Sequence, residues 1–135
     1  MNKKVIIPLV VILVIIGIVL VIRTDEIDEE MNGEDVIDPE EVTFYIEAEG
    51  REFYIDGQEN PNIVVNQGDE VVIEFTVTGG THDFVIDEFG VATEVLSEGE
   101  IQTIDFVADQ VGEFEYYCSV GTHRAEGMYG SLIVE

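Results

Sequence analysis

The chain has 135 residues, with 30 acidic and 5 basic side chains and a formal net charge of −25 at pH 7. This length suffices for one modest domain. So negative a charge excludes nucleic acid as a partner, because phosphates would be repelled rather than neutralised. It is compatible with a cationic protein partner, or with a very salty environment in which screening makes the charge tolerable.

Residues 5–22 form an apolar run without a charged or polar side chain. As a helix the run would span roughly 27 Å, close to the hydrocarbon thickness of a bilayer. Lys3 and Lys4 precede it, so residues 1–4 are predicted in the cytoplasm and the rest of the chain outside. No small-residue cleavage site follows the run, which favours an uncleaved transmembrane anchor over a signal peptide. A buried core helix is disfavoured because the rest of the chain has the pattern of β-strands and leaves no place for such a helix. We therefore expect a single-pass protein of the cell membrane with an extracytoplasmic C-terminal domain.

An acidic segment follows the apolar run. Residues 24–41 hold ten acidic residues and no basic one, so we predict an extended, self-repelling linker over residues 23–41. The remaining 94 residues, 42–135, are enough for a small domain with its own core. Arg51 and Arg124 are the only strong bases of this domain, against twenty acidic residues.

The domain shows the two-residue alternation of β-strands rather than the helical period of 3.6 residues. In residues 70–78 one face of a half-buried strand is formed by Val71, Ile73, Phe75 and Val77. Further strands are predicted at residues 42–47, 52–55, 62–65, 82–86, 101–107, 112–118 and 131–134. About eight short strands separated by turn residues predict an all-β protein, a two-sheet β-sandwich preceded by one N-terminal transmembrane helix.

The domain holds two histidines, one cysteine and, in its last quarter, one methionine. Cys118, His123 and Met128 lie within eleven residues at the end of a predicted strand, and His82 begins another strand. Two imidazoles, a thiolate and a thioether together select copper, and their trigonal arrangement with a long axial Met is typical of electron-transfer sites. We predict that these four residues bind one copper ion, which alternates between Cu(I) and Cu(II).

Other interpretations of these residues remain open at this point. Zinc accepts imidazole and thiolate ligands but rarely a thioether. Cys118 and His123 could form a catalytic pair, although no orienting group or oxyanion loop is recognisable. Each histidine or methionine alone would more often be a surface or packing residue.

Three segments, residues 82–90, 112–118 and 123–134, resemble motifs of the cupredoxin family, the type 1 blue copper proteins related to plastocyanin and azurin. The resemblance covers residues 42–135. It implies a Greek-key β-sandwich. The implied ligands are His82 and His123 as equatorial nitrogens, Cys118 as thiolate and Met128 as axial thioether.

The chain departs from the family's pattern at two places. Gly121-Thr122 stands where related sequences often have Pro-Gly before the second histidine, which puts the rigidity of the loop in question. Asp83 follows the first histidine, where the family often has an asparagine bonded to the residue after the cysteine. We therefore expect Asp83 to bond with Ser119, tying the two ligand segments together and tuning the metal.

A fixed four-ligand site without an open position favours electron transfer over catalysis. We therefore predict a membrane-anchored electron carrier that is not an enzyme and has no small-molecule substrate. Its expected partners are redox proteins such as a cytochrome or a membrane oxidase. A copper storage or delivery protein for an oxidase is the alternative, and a red-copper site using Glu126 in place of the axial methionine is a further one.

The ligand loop is the expected docking region. His123, between Cys118 and Met128, should be the ligand nearest the surface. Gly121, Gly127 and Met128 would form a small apolar patch around it, and acidic residues nearby would steer a cationic partner.

Overall fold

The computed structural model of the chain describes residues 39–135. It shows twelve strands and two single-turn 3-10 helices, Asp87–Phe89 and Arg124–Glu126. The strands are β1 Glu41–Glu49, β2 Glu52–Ile55, β3 Gln58–Glu59, β4 Ile63–Val65, β5 Glu70–Gly79, β6 Thr81–His82, β7 Val85–Ile86, β8 Val91–Ala92, β9 Leu96–Ser97, β10 Ile101–Val107, β11 Gly112–Tyr117 and β12 Tyr129–Val134.

The predicted segments 1–4 and 5–22, and all but the last three residues of 23–41, lie outside the described part of the chain. Within residues 39–135, no helix has the length and apolar character needed to span a bilayer.

Two five-stranded sheets make the two layers of a sandwich. The first has the order β10-β5-β1-β2-β3 and the second the order β4-β12-β11-β7-β8, while β6 and β9 form a separate two-stranded sheet. Two neighbouring pairs are parallel, β1 with β5 and β4 with β12, and the others are antiparallel. The all-β sandwich expected from the sequence is confirmed.

The core lies between the two sheets. In β5 the alternate residues Val71, Ile73, Phe75 and Val77 are buried, as predicted, because successive side chains of a strand point to opposite faces. From the other sheet, Tyr116 packs its ring 5.5 Å from that of Phe53. The Tyr116 hydroxyl donates a hydrogen bond of 2.6 Å to the carbonyl of Pro61, which satisfies its polar end within the core.

The strand count differs from the prediction of about eight. Three strands of two residues each, β3, β8 and β9, were missed because two residues cannot display an alternation. The single strand predicted at residues 82–86 is two short strands, β6 and β7, which pair with different partners. The break between them leaves Asp83 and Phe84 outside both strand pairings. Asp83 is therefore free to bond to Ser119, next to the site.

Candidate metal centre

His82 ends β6 and is held from both sides. Its strand pairs with β9, where it lies opposite Leu96. Its Nε2 lies 3.0 Å from the carbonyl oxygen of Gly79. Since a carbonyl accepts only, Nε2 carries the proton, which leaves the Nδ1 lone pair free to bind a metal. A Cβ on Gly80, which has φ +93°, would lie 3.0 Å from that same Nε2, so the glycine turn leaves room for the ring.

Cys118 and Met128 lie side by side because β11 and β12 form an antiparallel pair that ends next to them. The amide of Cys118 donates to the Met128 carbonyl at 3.2 Å, and the amide of Met128 donates to the His123 carbonyl at 3.0 Å. The loop between the strands therefore folds back on itself. It presents His123 on the same side as the other two residues.

Three donor atoms of these residues converge. Cys118 Sγ lies 3.8 Å from His82 Nδ1 and 3.4 Å from His123 Nδ1, and the two nitrogens are 3.2 Å apart. A point equidistant from the three atoms lies about 2.0 Å from each of them. This distance is close to typical metal–ligand bonds: zinc, another first-row transition-series ion, binds nitrogen at ~2.0–2.1 Å and thiolate sulfur at ~2.3 Å. The cluster fits one metal ion. Among residues 39–135 it is the one group of three His, Cys or acidic side chains that lies close enough to hold an ion.

The four predicted ligands differ in their exposure to solvent. His82, Cys118 and Met128 are buried, whereas His123 is partly exposed. The prediction that His123 lies nearest the surface is therefore confirmed. Burial is the main cause that lowers the pKa of His82 and raises that of the Cys118 thiol. The imidazole is thus ready to ligate, whereas a metal must displace the thiol proton when it binds.

Asp83 joins the two ligand segments. It is only 4% exposed. One carboxylate oxygen accepts the backbone N–H of Ser119 at 2.6 Å, and the other accepts the Ser119 hydroxyl. The expected Asp83–Ser119 contact is confirmed. Because Asp83 follows His82 and Ser119 follows Cys118, this contact links the two ligand segments.

Two ion pairs attach the ligand loop to the rest of the sandwich. Arg51, in the turn between β1 and β2, pairs with Glu126, and Arg124 pairs with Glu115 of β11. Arg124 also lies over the ring of Tyr117, 3.8 Å from its centre. The sequence did not indicate these contacts, because arginines and carboxylates far apart in sequence carry no pairing signal.

The structure speaks against the alternative in which Glu126 is a ligand, and it corrects the expected composition of the docking patch. Arg51 and the Thr122 hydroxyl, the latter at 3.1 Å, each contact one carboxylate oxygen of Glu126, and the Glu126 side chain is half exposed. Met128 has no exposed surface, so it contributes nothing to the apolar patch expected around His123. Instead an open depression of about 440 Å³ adjoins the two histidines, and its rim includes Arg51 and Val120.

Comparison with known proteins places this domain among copper-protein folds. No family model matches the chain. The chain is 34% identical over 89 residues to L-ascorbate oxidase of Cucumis sativus, covering 56% of this chain and 15% of that enzyme. It is 28% identical over 125 residues to the copper-containing nitrite reductase of Neisseria meningitidis, covering 84% of this chain and 30% of the reductase. The chain thus spans well under half the length of these curated relatives.

Solved structures share the fold. Rusticyanin from Thiobacillus ferrooxidans superposes with a TM-score of 0.61 at 22% identity, over 70% of this chain and 77% of rusticyanin. Auracyanin from Roseiflexus castenholzii gives 0.55 at 24% identity, over 69% of this chain and 96% of auracyanin. The described domain therefore has the cupredoxin-like β-sandwich fold. His82, Cys118, His123 and Met128 form in it the arrangement of a type 1 copper site.

Proposed function

We propose that this protein is a type 1 copper protein that carries single electrons between redox partners outside the cytoplasmic membrane. The observation that supports this most directly is the convergence of His82 Nδ1, His123 Nδ1 and Cys118 Sγ around a point about 2.0 Å from each atom. Met128, whose backbone bonds to both Cys118 and His123, is the fourth ligand in this proposal.

The donor set favours copper over zinc. Zinc sites seldom include a thioether, whereas two imidazoles, a thiolate and a weak thioether suit copper. Bound copper would supply a one-electron Cu(I)/Cu(II) couple. The residues of the chain hold the ligands in place through the Gly79 carbonyl, the Asp83–Ser119 contact and the bonded loop backbone. A site that changes shape little suits rapid gain and loss of an electron.

Burial of the sulfur atoms argues against the other functions considered. Cys118 and Met128 are fully buried, so neither a substrate nor a protein that accepts the metal can reach their side chains. Catalysis by a Cys118–His123 pair, copper storage and copper delivery would all need such access. The enzymes that the chain resembles share only one domain-sized segment with it, and we propose no catalytic activity for this chain.

The membrane anchor at residues 5–22 is part of the proposal. It would confine the domain to the membrane surface, and the acidic linker 23–41 would let the domain move between donor and acceptor. The partners would be redox proteins such as a cytochrome or a membrane oxidase. His123 is the partly exposed ligand, so electrons would enter and leave past its ring.

An absorption spectrum of the oxidised, copper-loaded full-length protein tests the proposal. We expect an intense visible thiolate-to-copper band and a narrow copper hyperfine splitting in electron paramagnetic resonance. Cys118→Ser, the matched control, should lose the band because it lacks the thiolate. A colourless Cu(II) form of the wild type, or a preference for zinc when both metals compete, would rule out the proposed function.

A further inference from the structure

The loop that carries His123 has two points of backbone freedom. Residues 118–128 join β11 to β12 and contain no proline. Gly121, with φ +52°, and Gly127, with φ +109°, lie on either side of His123. Since glycine reaches many more backbone conformations than other residues, the loop sequence alone does not fix where the imidazole and the neighbouring Met128 point. Contacts from outside the loop are needed to select one conformation.

The peptide group between Gly127 and Met128 receives such a contact. Within the ligand loop and β12, the Met128 N–H donates to the His123 carbonyl at 3.0 Å, and the Gly127 carbonyl accepts the Tyr129 N–H at 2.9 Å. The same Gly127 carbonyl accepts a further hydrogen bond of 3.3 Å from the side-chain Nδ2 of Asn60. Asn60 directly follows β3, which belongs to the other five-stranded sheet. This bond therefore joins the ligand loop to the opposite layer of the sandwich.

The β2–β3 hairpin in turn holds the Asn60 side chain in one orientation. Oδ1 of Asn60 accepts the Phe53 N–H at 2.8 Å, and the backbone N–H of Asn60 donates to the Phe53 carbonyl at 2.7 Å. The two N–H groups of Nδ2 then meet two acceptors, the Glu52 carboxylate and the Gly127 carbonyl. Because all these contacts agree, the amide acts as a fixed support for the ligand loop.

We propose that Asn60 is a positioning residue of the metal centre, whose side-chain N–H holds the Gly127 carbonyl and so keeps the ligand loop in the conformation that receives the ion. The inference rests on the proposed copper site. An ion leaves such a site when a ligand swings away, and both His123 and Met128 belong to the loop that Asn60 supports. The support is uncharged, so salt weakens it less than the ion pairs that also attach the loop.

An exchange of donor and acceptor between positions 52 and 60 isolates the contact. In the double variant Glu52→Gln/Asn60→Asp, the new carboxylate still accepts the Phe53 N–H and accepts from the new amide at position 52, while the net charge is unchanged. Only the N–H that reaches Gly127 is lost. Glu52→Gln alone is the matched control, because its amide oxygen still accepts from Asn60.

Release of copper from the loaded full-length protein to a chelator measures the effect. We expect the double variant to release copper about tenfold faster than Glu52→Gln, since contacts that orient ligands change metal affinity by ~10–100-fold. The control should stay within about twofold of the wild type. The copper hyperfine splitting should also change in the double variant but not in the control, because the axial Met128 is less well placed.

Amide hydrogen exchange of the metal-free full-length protein tests the same contact without copper. Exchange at Met128 and Tyr129 should be about fivefold faster in the double variant than in Glu52→Gln, because the loop opens more often when it has lost one net hydrogen bond. Exchange in the central strand β5 should stay the same. A merely structural role of Asn60 would instead accelerate exchange throughout the domain.

Copper release by the double variant within twofold of the control would overturn the inference, and so would unchanged exchange at Met128. If the double variant does not fold, Asn60→Gly decides the matter by the same two measurements, since glycine also adopts the φ of +45° found at this position. Both rates should again exceed those of the wild type, and equal rates would contradict the inference. A wild type without the visible band would refute the copper site itself, while the exchange measurement would still test the support of the loop.

Discussion

Met128 differs from the other ligands in how it is held. It has no exposed surface, and its position is fixed through the backbone, since its amide and carbonyl bond to His123 and Cys118. Its side chain can therefore be altered without displacing the loop. This makes position 128 a place where the strength of the axial bond can be varied separately from the rest of the site.

We predict that Met128→Leu keeps copper bound and raises the reduction potential. The axial bond is long and weak, so three ligands suffice to hold the ion, while loss of the sulfur lone pair disfavours Cu(II) more than Cu(I). Redox titration together with copper analysis of the purified variant measures both effects. Complete loss of copper would mean that Met128 is not a weak axial ligand.

At the level of secondary-structure elements, the β11–β12 pair contains a close contact between Tyr116 and Gly130. Tyr116 lies opposite Gly130, and its ring covers the glycine so closely that a Cβ there would lie 2.7 Å from ring atom Cε1 and overlap the hydroxyl end. The ring in turn is fixed by its hydrogen bond to Pro61. Only a residue without a side chain fits beneath it.

We predict that Gly130→Ala destabilises the domain by about 1–3 kcal/mol, because a buried aromatic ring must move to admit the methyl group. Urea denaturation of a form beginning at Thr24 measures the change in unfolding free energy. Ser131→Ala, on the same strand but on the exposed side, removes only a surface hydrogen bond to Glu113 and should change stability by less than ~0.5 kcal/mol. Equal effects of the two variants would contradict the prediction.

Sequence reasoning succeeded where local alternation or ligand chemistry carries the signal. Strands β2 and β10 have the predicted bounds, and three of the four predicted ligands present their donor atoms to one another. The break between β6 and β7 was not predictable, because it arises from pairing with β9 and β11 rather than from the residues themselves. The pairing of Arg51 with Glu126, 75 residues apart, also depends on tertiary structure alone.

At the scale of the whole molecule, the proposed anchor at residues 5–22 would decide where the protein is found. We predict that the full chain fractionates with membranes, whereas a form beginning at Thr24 is soluble and still redox-active. Membrane fractionation and redox titration of both forms measure this. A mature protein isolated from cells with its N-terminus near residue 24 would show instead that the apolar run is a cleaved signal.

The net charge should govern encounter with partners. Residues 24–135 carry thirty acidic side chains and two arginines, a formal charge of −28. We predict that electron exchange with a basic redox protein slows as salt rises, while exchange with an acidic one speeds up, because salt screens attraction and repulsion over ~10 Å at 0.1 M. Stopped-flow rates across a salt series measure both. Rates independent of salt for both acceptors would mean that the acidic surface takes no part in recognition.

Because the ligands come from separate segments of the chain, binding of the metal should also stabilise the fold. His82 belongs to the small β6–β9 sheet, whereas Cys118 lies 36 residues later at the end of β11. An ion bound to both would act as a reversible cross-link that closes this stretch of chain, and an ion that binds only the folded form stabilises it by mass action. Loss of the metal and loss of the fold would then be linked events. The domain would hold its ion for as long as these two segments stay together.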